Sequence, residues 1–319
     1  MTASPVRFGL SLTTAHPLTA DPRQCLRDLL ERVAAAREAG LHSIWVGDHH
    51  VTATTHYFQN IPTIARIAAL SGEMQIGMFS MPPLFPPILF AEQIATLDVI
   101  ADGRFTLMAG VGGQRDAHAA FGIPWQERAG RFEECLEIMR RLWQEDHVSY
   151  EGKYFRFSDV TLNPKPLQHP LPVWIGGDAD RPLKRAARLG DAWVPAPWMP
   201  LPILAGRMAF YKQALREYGR EAEIKEFPIR RDIYVAQERE TAKQHTAPYL
   251  ETYRGFTAEM RTGLFIGSPD DIIAEVEKYR ALGCNHFLFR HIVREQERML
   301  ESIRLIGEKV LPFFSGQSA

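Results

Sequence analysis

Hydrophobic positions in this chain follow two alternating periods. Val6 to Leu12 places apolar residues at every second position, as a strand does, and Pro22 then opens a stretch whose apolar positions Leu26, Leu29, Leu30 and Val33 recur at helical spacing until Gly40. The same alternation continues downstream. Strands are expected at Ile44–Val46, Met74–Ser80, Phe105–Gly110, Val173–Ile175, Ala192–Val194, Ile229–Ala236 and His286–Phe289. Helices are expected at Ile61–Leu70, Ile88–Ile100, Arg131–Gln144 and Arg294–Val310, with another starting at Gly267-Ser-Pro-Asp270. Residues 131–144 carry the cleanest stripe: Phe132, Cys135, Leu136, Met139, Leu142 and Trp143. Eight strands alternating with helices predict an α/β protein, a (β/α)8 TIM barrel forming one domain over residues 1–319. Two segments break the rhythm. Two short alternating runs around Glu151-Gly152 read as a β-hairpin, giving an insertion at about 147–170, and the polar stretch at about 237–263 is long enough to be a mobile lid.

Composition narrows the class. The 319 residues are 45% hydrophobic, enough for a large core, and 37 basic against 38 acidic residues leave a net charge of −1. Such a balance offers no basic field to nucleic acid or an acidic membrane. The three cysteines, Cys25, Cys135 and Cys284, are odd in number and far apart, which argues for a reducing compartment and against a disulfide framework or thiolate metal site. No run reaches transmembrane length and no apolar signal core opens the chain, so the expected location is the cytoplasm.

In a barrel of this kind, chemistry sits at the C-terminal ends of the strands. Those ends supply Asp48-His49-His50, Phe79 to Met81, Gly110 to Arg115, Gly176 to Asp180 and Ala196 to Trp198. Asp48-His49 suits acid/base work, because histidine titrates near neutrality and a carboxylate can fix its tautomer. Neighbouring strand residues point to opposite faces, so His50 is expected to cap the following turn instead. A metal site built from His49, His50 and His56 lacks a supporting carboxylate or cysteine spacing, and no metal is expected. Gly110-Val-Gly112-Gly113 is a tight turn or a place of close approach to a ring, and it lacks the G-x-G-x-x-G spacing of a dinucleotide fingerprint. Gly176 and Gly177 precede a helix that Pro182 opens and Asp180 can cap, which would present bare N–H groups to a phosphate, with Arg181 as a nearby cation. A plain turn and N-cap is the competing reading, and Asp178 and Asp180 weigh against an anion unless they point away. Phe58, Trp198, Met199 and the Pro83–Pro87 segment suggest apolar walls for an apolar or aromatic substrate.

Several of these stretches together resemble the bacterial luciferase-like oxidoreductases. They are Asp102-Gly-Arg-Phe-Thr-Leu107, Arg131-Phe-Glu-Glu134, Tyr150-Glu-Gly-Lys-Tyr-Phe155, Asn163-Pro-Lys-Pro166, Trp174-Ile-Gly-Gly177 and Ala187-Arg-Leu-Gly-Asp191. The resemblance runs in order from about residue 6 to 200. It implies a (β/α)8 barrel with an insertion near the hairpin, usually a homodimer, binding FMN or the deazaflavin F420. It places His49 beside the reactive edge of the ring with Asp48 orienting it, a bulge of the third strand near Phe79 and Ser80 under the ring, often with a non-proline cis peptide, and the cofactor phosphate on Gly176-Gly177, where Asp178 stands in place of the family's usual small hydroxyl residue. The first expectation is a monooxygenase that receives reduced FMN from a separate flavin reductase and uses O2 on a small organic substrate. The alternative is an F420-dependent dehydrogenase or reductase that exchanges hydride, its basic groove supplied by Arg181, Lys184 and Arg185. A non-catalytic flavin-binding protein comes last, because it would lack a usable base at position 49.

Overall fold

The computed structural model describes residues 5–253 and 255–315. Its strands are β1 Arg7–Leu12, β2 Ala15–Pro17, β3 Ser43–Val46, β4 Thr55–Tyr57, β5 Gln75–Ser80, β6 Phe105–Ala109, β7 Val148–Glu151, β8 Arg156–Val160, β9 Val173–Gly176, β10 Ala192–Val194, β11 Pro228–Val235, β12 Phe265–Gly267 and β13 His286–His291. Nine of them form one parallel sheet in the order β10-β9-β6-β5-β3-β1-β13-β11-β12. The sheet curls until β10 comes alongside β11, with no ladder between them. Fully buried Arg231 spans that junction: its guanidinium donates to the carbonyls of Pro197 (2.7 Å) and Met199 (3.0 Å) and lies 4.7 Å from the Tyr279 ring. The architecture is thus α/β with a curled parallel sheet.

Strand alternation divides the core in two. Phe8, Leu10, Ile44, Ile76, Leu107, Ile229 and Phe287 meet the surrounding helices through Leu29, Val33, Ile94, Leu136 and Leu204. The opposite face turns into the curl and is filled by Trp45, Met108, Trp174, Val194 and Leu288, with Phe79 packed against them. Trp45 and Trp174 stack at 4.6 Å. Trp45 fits because β5 has Gly77 beneath it, where a Cβ would fall 1.9 Å from the indole. Below this layer Trp45 Nε1 donates to Ser43 Oγ (2.9 Å), which lies 2.7 Å from His286 Nε2, while His286 Nδ1 meets Glu226 at 2.8 Å and Glu226 accepts from Arg7 at 2.6 Å. A satisfied polar chain therefore closes the N-terminal end of the curl.

Several elements depart from the expected pattern. β12 adds a ninth strand where only a helix start was legible, because Phe265–Gly267 runs directly into the cap of that helix at Ser268. β2 and β4 pair as a short antiparallel ribbon. Apart from these departures, the polar stretch at about 237–263 holds the helical segments Arg239–Thr246, Ala247–Tyr253 and Ala258–Arg261. The third barrel strand has no bulge: β5 pairs with β6 in unbroken register from Ile76 to Ser80, and the cis peptides among the described residues both precede proline. β7 and β8 pair antiparallel, and Glu134 of the helix Arg128–Gln144 holds their turn by accepting from the N–H groups of Lys153, Tyr154 and Phe155.

Candidate functional site

β3 ends at Val46, and the next residues deliver two histidines to different places. His49 faces the mouth of the curl at the C-terminal strand ends, edge-on to Tyr57 of β4 at 5.2 Å. Its Nδ1 is held in a short contact by the side-chain amide of Gln114. Burial lowers its pKa from 6.5, with Arg230 and Arg290 adding to the effect and Asp48 and Gln114 opposing it. The imidazole is therefore neutral near neutral pH, the form that takes up a proton.

Asp48 does not orient His49. Its carboxylate points to the other side of the strand, where Oδ2 accepts from Met81 N–H (3.1 Å) and Oδ1 lies 3.2 Å from His50 Nε2. His50 is likewise not a turn cap; its ring sits edge-on to Phe85 (5.8 Å) and Phe121 (5.3 Å). Ser80 shares that outer side, lining a 190 Å³ cavity with Asp48 and His50. Strand alternation explains all three placements: Phe79 turns inward and Ser80 outward.

Phe79 has glycines around it. A Cβ on Gly110 would lie 3.0 Å from its ring, and one on Gly176 would lie 4.0 Å away. Gly110 thus makes room for the Phe79 ring, and Gly176 lies at van der Waals distance from it. Gly112, at φ +77, turns the loop under Met81 and His118. Buried His118 sits between the carbonyls of Gln114 (2.8 Å from Nδ1) and Val111 (3.2 Å from Nε2), one of which accepts its N–H, and so ties the ring to the loop that carries Gln114.

The turn after β9 is built for close approach. Gly177 has φ +153, and a Cβ there would meet Pro182 at 2.4 Å. Its carbonyl accepts from Trp193 Nε1 at 2.6 Å. Asp178 does not stand in an anion's way, because its carboxylate accepts from Ala196 N–H at 2.8 Å. Asp180 is not the helix cap: the helix runs Asp180–Leu189 with Ala179 at the cap position and no side-chain cap, and Asp180 pairs instead with Arg207. The first-turn N–H groups of this helix are thus left uncapped, with Arg181 exposed beside them. Arg185 and Arg188 are both bound to Glu133.

The mouth also holds charges that the strand-end reading missed. Asp232 of β11 receives both arms of Arg290 from β13 (2.7 and 2.6 Å) and the hydroxyl of Tyr253 (2.8 Å). Arg230 lies two residues earlier on the same inward face of β11. Its Nε is buried without a partner among the described residues, and burial together with Arg290 lowers its pKa to about 10. An alternating Arg-x-Asp was the available signal, but β11 reads Pro228-Ile-Arg-Arg-Asp-Ile and nothing in it tells which arginine faces inward. Trp198, 45% exposed, is edge-on to Phe256, which is edge-on to Tyr253, so aromatic rings border this cluster. Phe58 is elsewhere, 5.3 Å from the His16 ring and packed on the main core. Among the described residues, no three His, Cys, Asp or Glu side chains converge as metal ligands do.

Comparison with known proteins fits this arrangement. A family model described as luciferase-like monooxygenase matches residues 6–263. An F420-dependent glucose-6-phosphate dehydrogenase of Amycolatopsis mediterranei is 25% identical, over 90% of this chain and 94% of its own. Among solved structures, the monooxygenase RslO1 from Streptomyces bottropensis superposes with a TM-score of 0.86 at 23% identity, covering 97% of this chain and 99% of its own. An F420-dependent secondary alcohol dehydrogenase, solved with an F420-acetone adduct, gives 0.81 at 18% identity, covering 96% and 98%. The family match spans the strand ends that carry His49, Phe79, Gly110 and Gly177, and on that ground the chain belongs to the luciferase-like monooxygenase family of oxidoreductases.

Proposed function

We propose that the chain is an FMN-dependent monooxygenase on a (β/α)8 barrel, with β7 and β8 as its hairpin insertion. Reduced FMN would come from a separate reductase, and O2 would oxygenate a small organic substrate. The observation that carries this reading is the turn at Gly177. Its uncapped helix start and Arg181 suit one phosphate; of the other cations expected to serve a longer polyanionic tail, Arg185 is held by Glu133, which also binds Arg188, while Lys184 remains exposed. The flavin ring would lie against Phe79 between Gly110 and Gly176, with Arg230 supplying a donor at its edge. When bound, the reduced flavin supplies the electrons that activate O2.

The chain's own residues do the rest. His49, neutral and steadied at Nδ1 by Gln114, moves a proton at Nε2. The amide of Gln114 serves either tautomer by turning over, so His49 can act as acceptor and then as donor. Trp198, Phe256 and Tyr253 suit an apolar or aromatic substrate body, and Arg230 suits a carbonyl or anionic group on it.

Hydride exchange with F420 is the second reading. Two observations favour it: several relatives bear F420-dependent names, and a neutral His49 is the base that oxidation of an alcohol needs. The phosphate assignment is tested by comparing FMN with riboflavin in a calorimetric titration. FMN binds at least about tenfold more tightly if the turn takes a phosphate by charge-assisted hydrogen bonds, and Arg181→Gln narrows the gap. Equal affinities would remove the phosphate from Gly177.

A further inference from the structure

A cavity of 640 Å³ shares Arg290 and Tyr253 with the mouth. It is bounded by the ribbon segment Thr13–Pro17, the helix Pro22–Glu38, the end of β13 and Tyr249 and Tyr253. Arg32 stands in its wall, only 4% exposed. Among the described residues this guanidinium has no carboxylate within ion-pair distance; its contacts are the Asp28 carbonyl (3.2 Å) and the Met299 sulfur (3.7 Å). Two imidazoles line the same space, His16 and His291, and each has a buried Nε2 without a partner. Gln296 adds a buried unpartnered Oε1, although its amide nitrogen is engaged with the Asp28 carbonyl and Glu31. The carboxylate of Asp28, the one acid among the lining residues, accepts from Gln24 on its own helix.

Such a set is costly as it stands. A buried cation whose only nearby acid, Asp28, acts on it at a distance, and buried ring nitrogens without partners, each oppose folding unless something else completes them. One oxyanion would answer all three, taking the arginine's charge and an N–H from each imidazole. Burial keeps both rings neutral, His291 near pKa 3 and His16 near 4, with Arg32 lowering both further. Each therefore carries one N–H to give.

We infer that this cavity is an anion subsite that receives the carboxylate or phosphate group of a small organic ligand on Arg32, His16 and His291. Arg290 and Tyr253 stand in its wall and both bind Asp232 of the mouth. An occupant would thus bear on the residues that border the mouth. The inference does not depend on which flavin the mouth takes.

The test uses the whole chain without flavin. Thermal unfolding is followed against inorganic phosphate and, separately, acetate, at constant ionic strength, for the wild type, Arg32→Met and His291→Gln. The expected result is a wild-type midpoint that rises with one of the two anions, and which one distinguishes a phosphate from a carboxylate ligand. Apparent affinity falls roughly tenfold or more in Arg32→Met, as loss of a charged hydrogen-bond partner does, and falls less in His291→Gln. Phosphate binding at Gly177 would raise all three midpoints alike, so only the difference between variants counts. Identical anion responses in all three proteins, or no response in the wild type, would overturn the inference. Should Arg32→Met not fold, His291→Gln and His16→Gln carry the same comparison.

Discussion

At the scale of single residues, His49 is the group on which the chemistry turns. Replacing it with alanine should leave folding and cofactor affinity near wild type while lowering turnover roughly a hundredfold or more, as loss of a general acid/base does. Its pKa is lowered from 6.5, so the neutral, proton-accepting form persists below that value. The acidic limb of the rate profile should therefore fall only at pH below 6.5 in the wild type and vanish in His49→Ala. A limb at or above 6.5, or wild-type turnover in the variant, would move the proton transfer to another residue. His49 was legible in the sequence because it follows a short apolar strand and titrates near neutrality. Its partner was not. Asp48, the neighbour in sequence, belongs to the opposite face, and Gln114 arrives from 65 residues away on a loop to which buried His118 is tied. Arg230 and Arg290 were hidden for a similar reason: which of two adjacent arginines faces inward depends on register, and Arg231 faces outward to stitch the curl.

Among the elements, the turn between β9 and its helix combines the most constraints in the fewest residues. Gly177 needs a backbone conformation that side chains avoid, and Pro182 fills the space a Cβ would take. Gly177→Ala is expected to cost about 1–3 kcal/mol, from backbone strain and overpacking, and to weaken FMN binding because the turn must shift. Urea unfolding of the flavin-free protein, paired with FMN titration, reads both effects; unchanged values in both would show that the turn is neither strained nor in contact with the cofactor. The turn itself was readable from its two glycines and the proline beyond. Its cap was misread, since Asp180 lies one residue too late and pairs with Arg207. Some short elements escaped altogether: β2 (Ala-His-Pro) and β4 (Thr-His-Tyr) lack the buried apolar run that marks β10, and β12 leads straight into a helix start. Yet β4 brings Tyr57 to His49.

Across the whole molecule, the alternation of strands and helices anticipated the parallel sheet and its two-sided core, because each strand's period sorts its side chains to one face or the other. Closure depends on contacts that no local pattern announces. Arg231 joins β11 to the segment after β10, and the Arg7–Glu226–His286–Ser43 chain fills the opposite end. Between these ends the inward face carries an aromatic ring flanked by glycines, a neutral histidine and a glycine turn with an uncapped helix start. The central claim is that the mouth holds reduced FMN. Parallel anaerobic titrations with FMN, reduced FMN and F420, followed by calorimetry, test it most directly. Tight binding of an FMN form with F420 at least about tenfold weaker, a difference of roughly 1.4 kcal/mol, is the predicted result. Preferential binding of F420 would contradict it and make hydride transfer the reaction of this site.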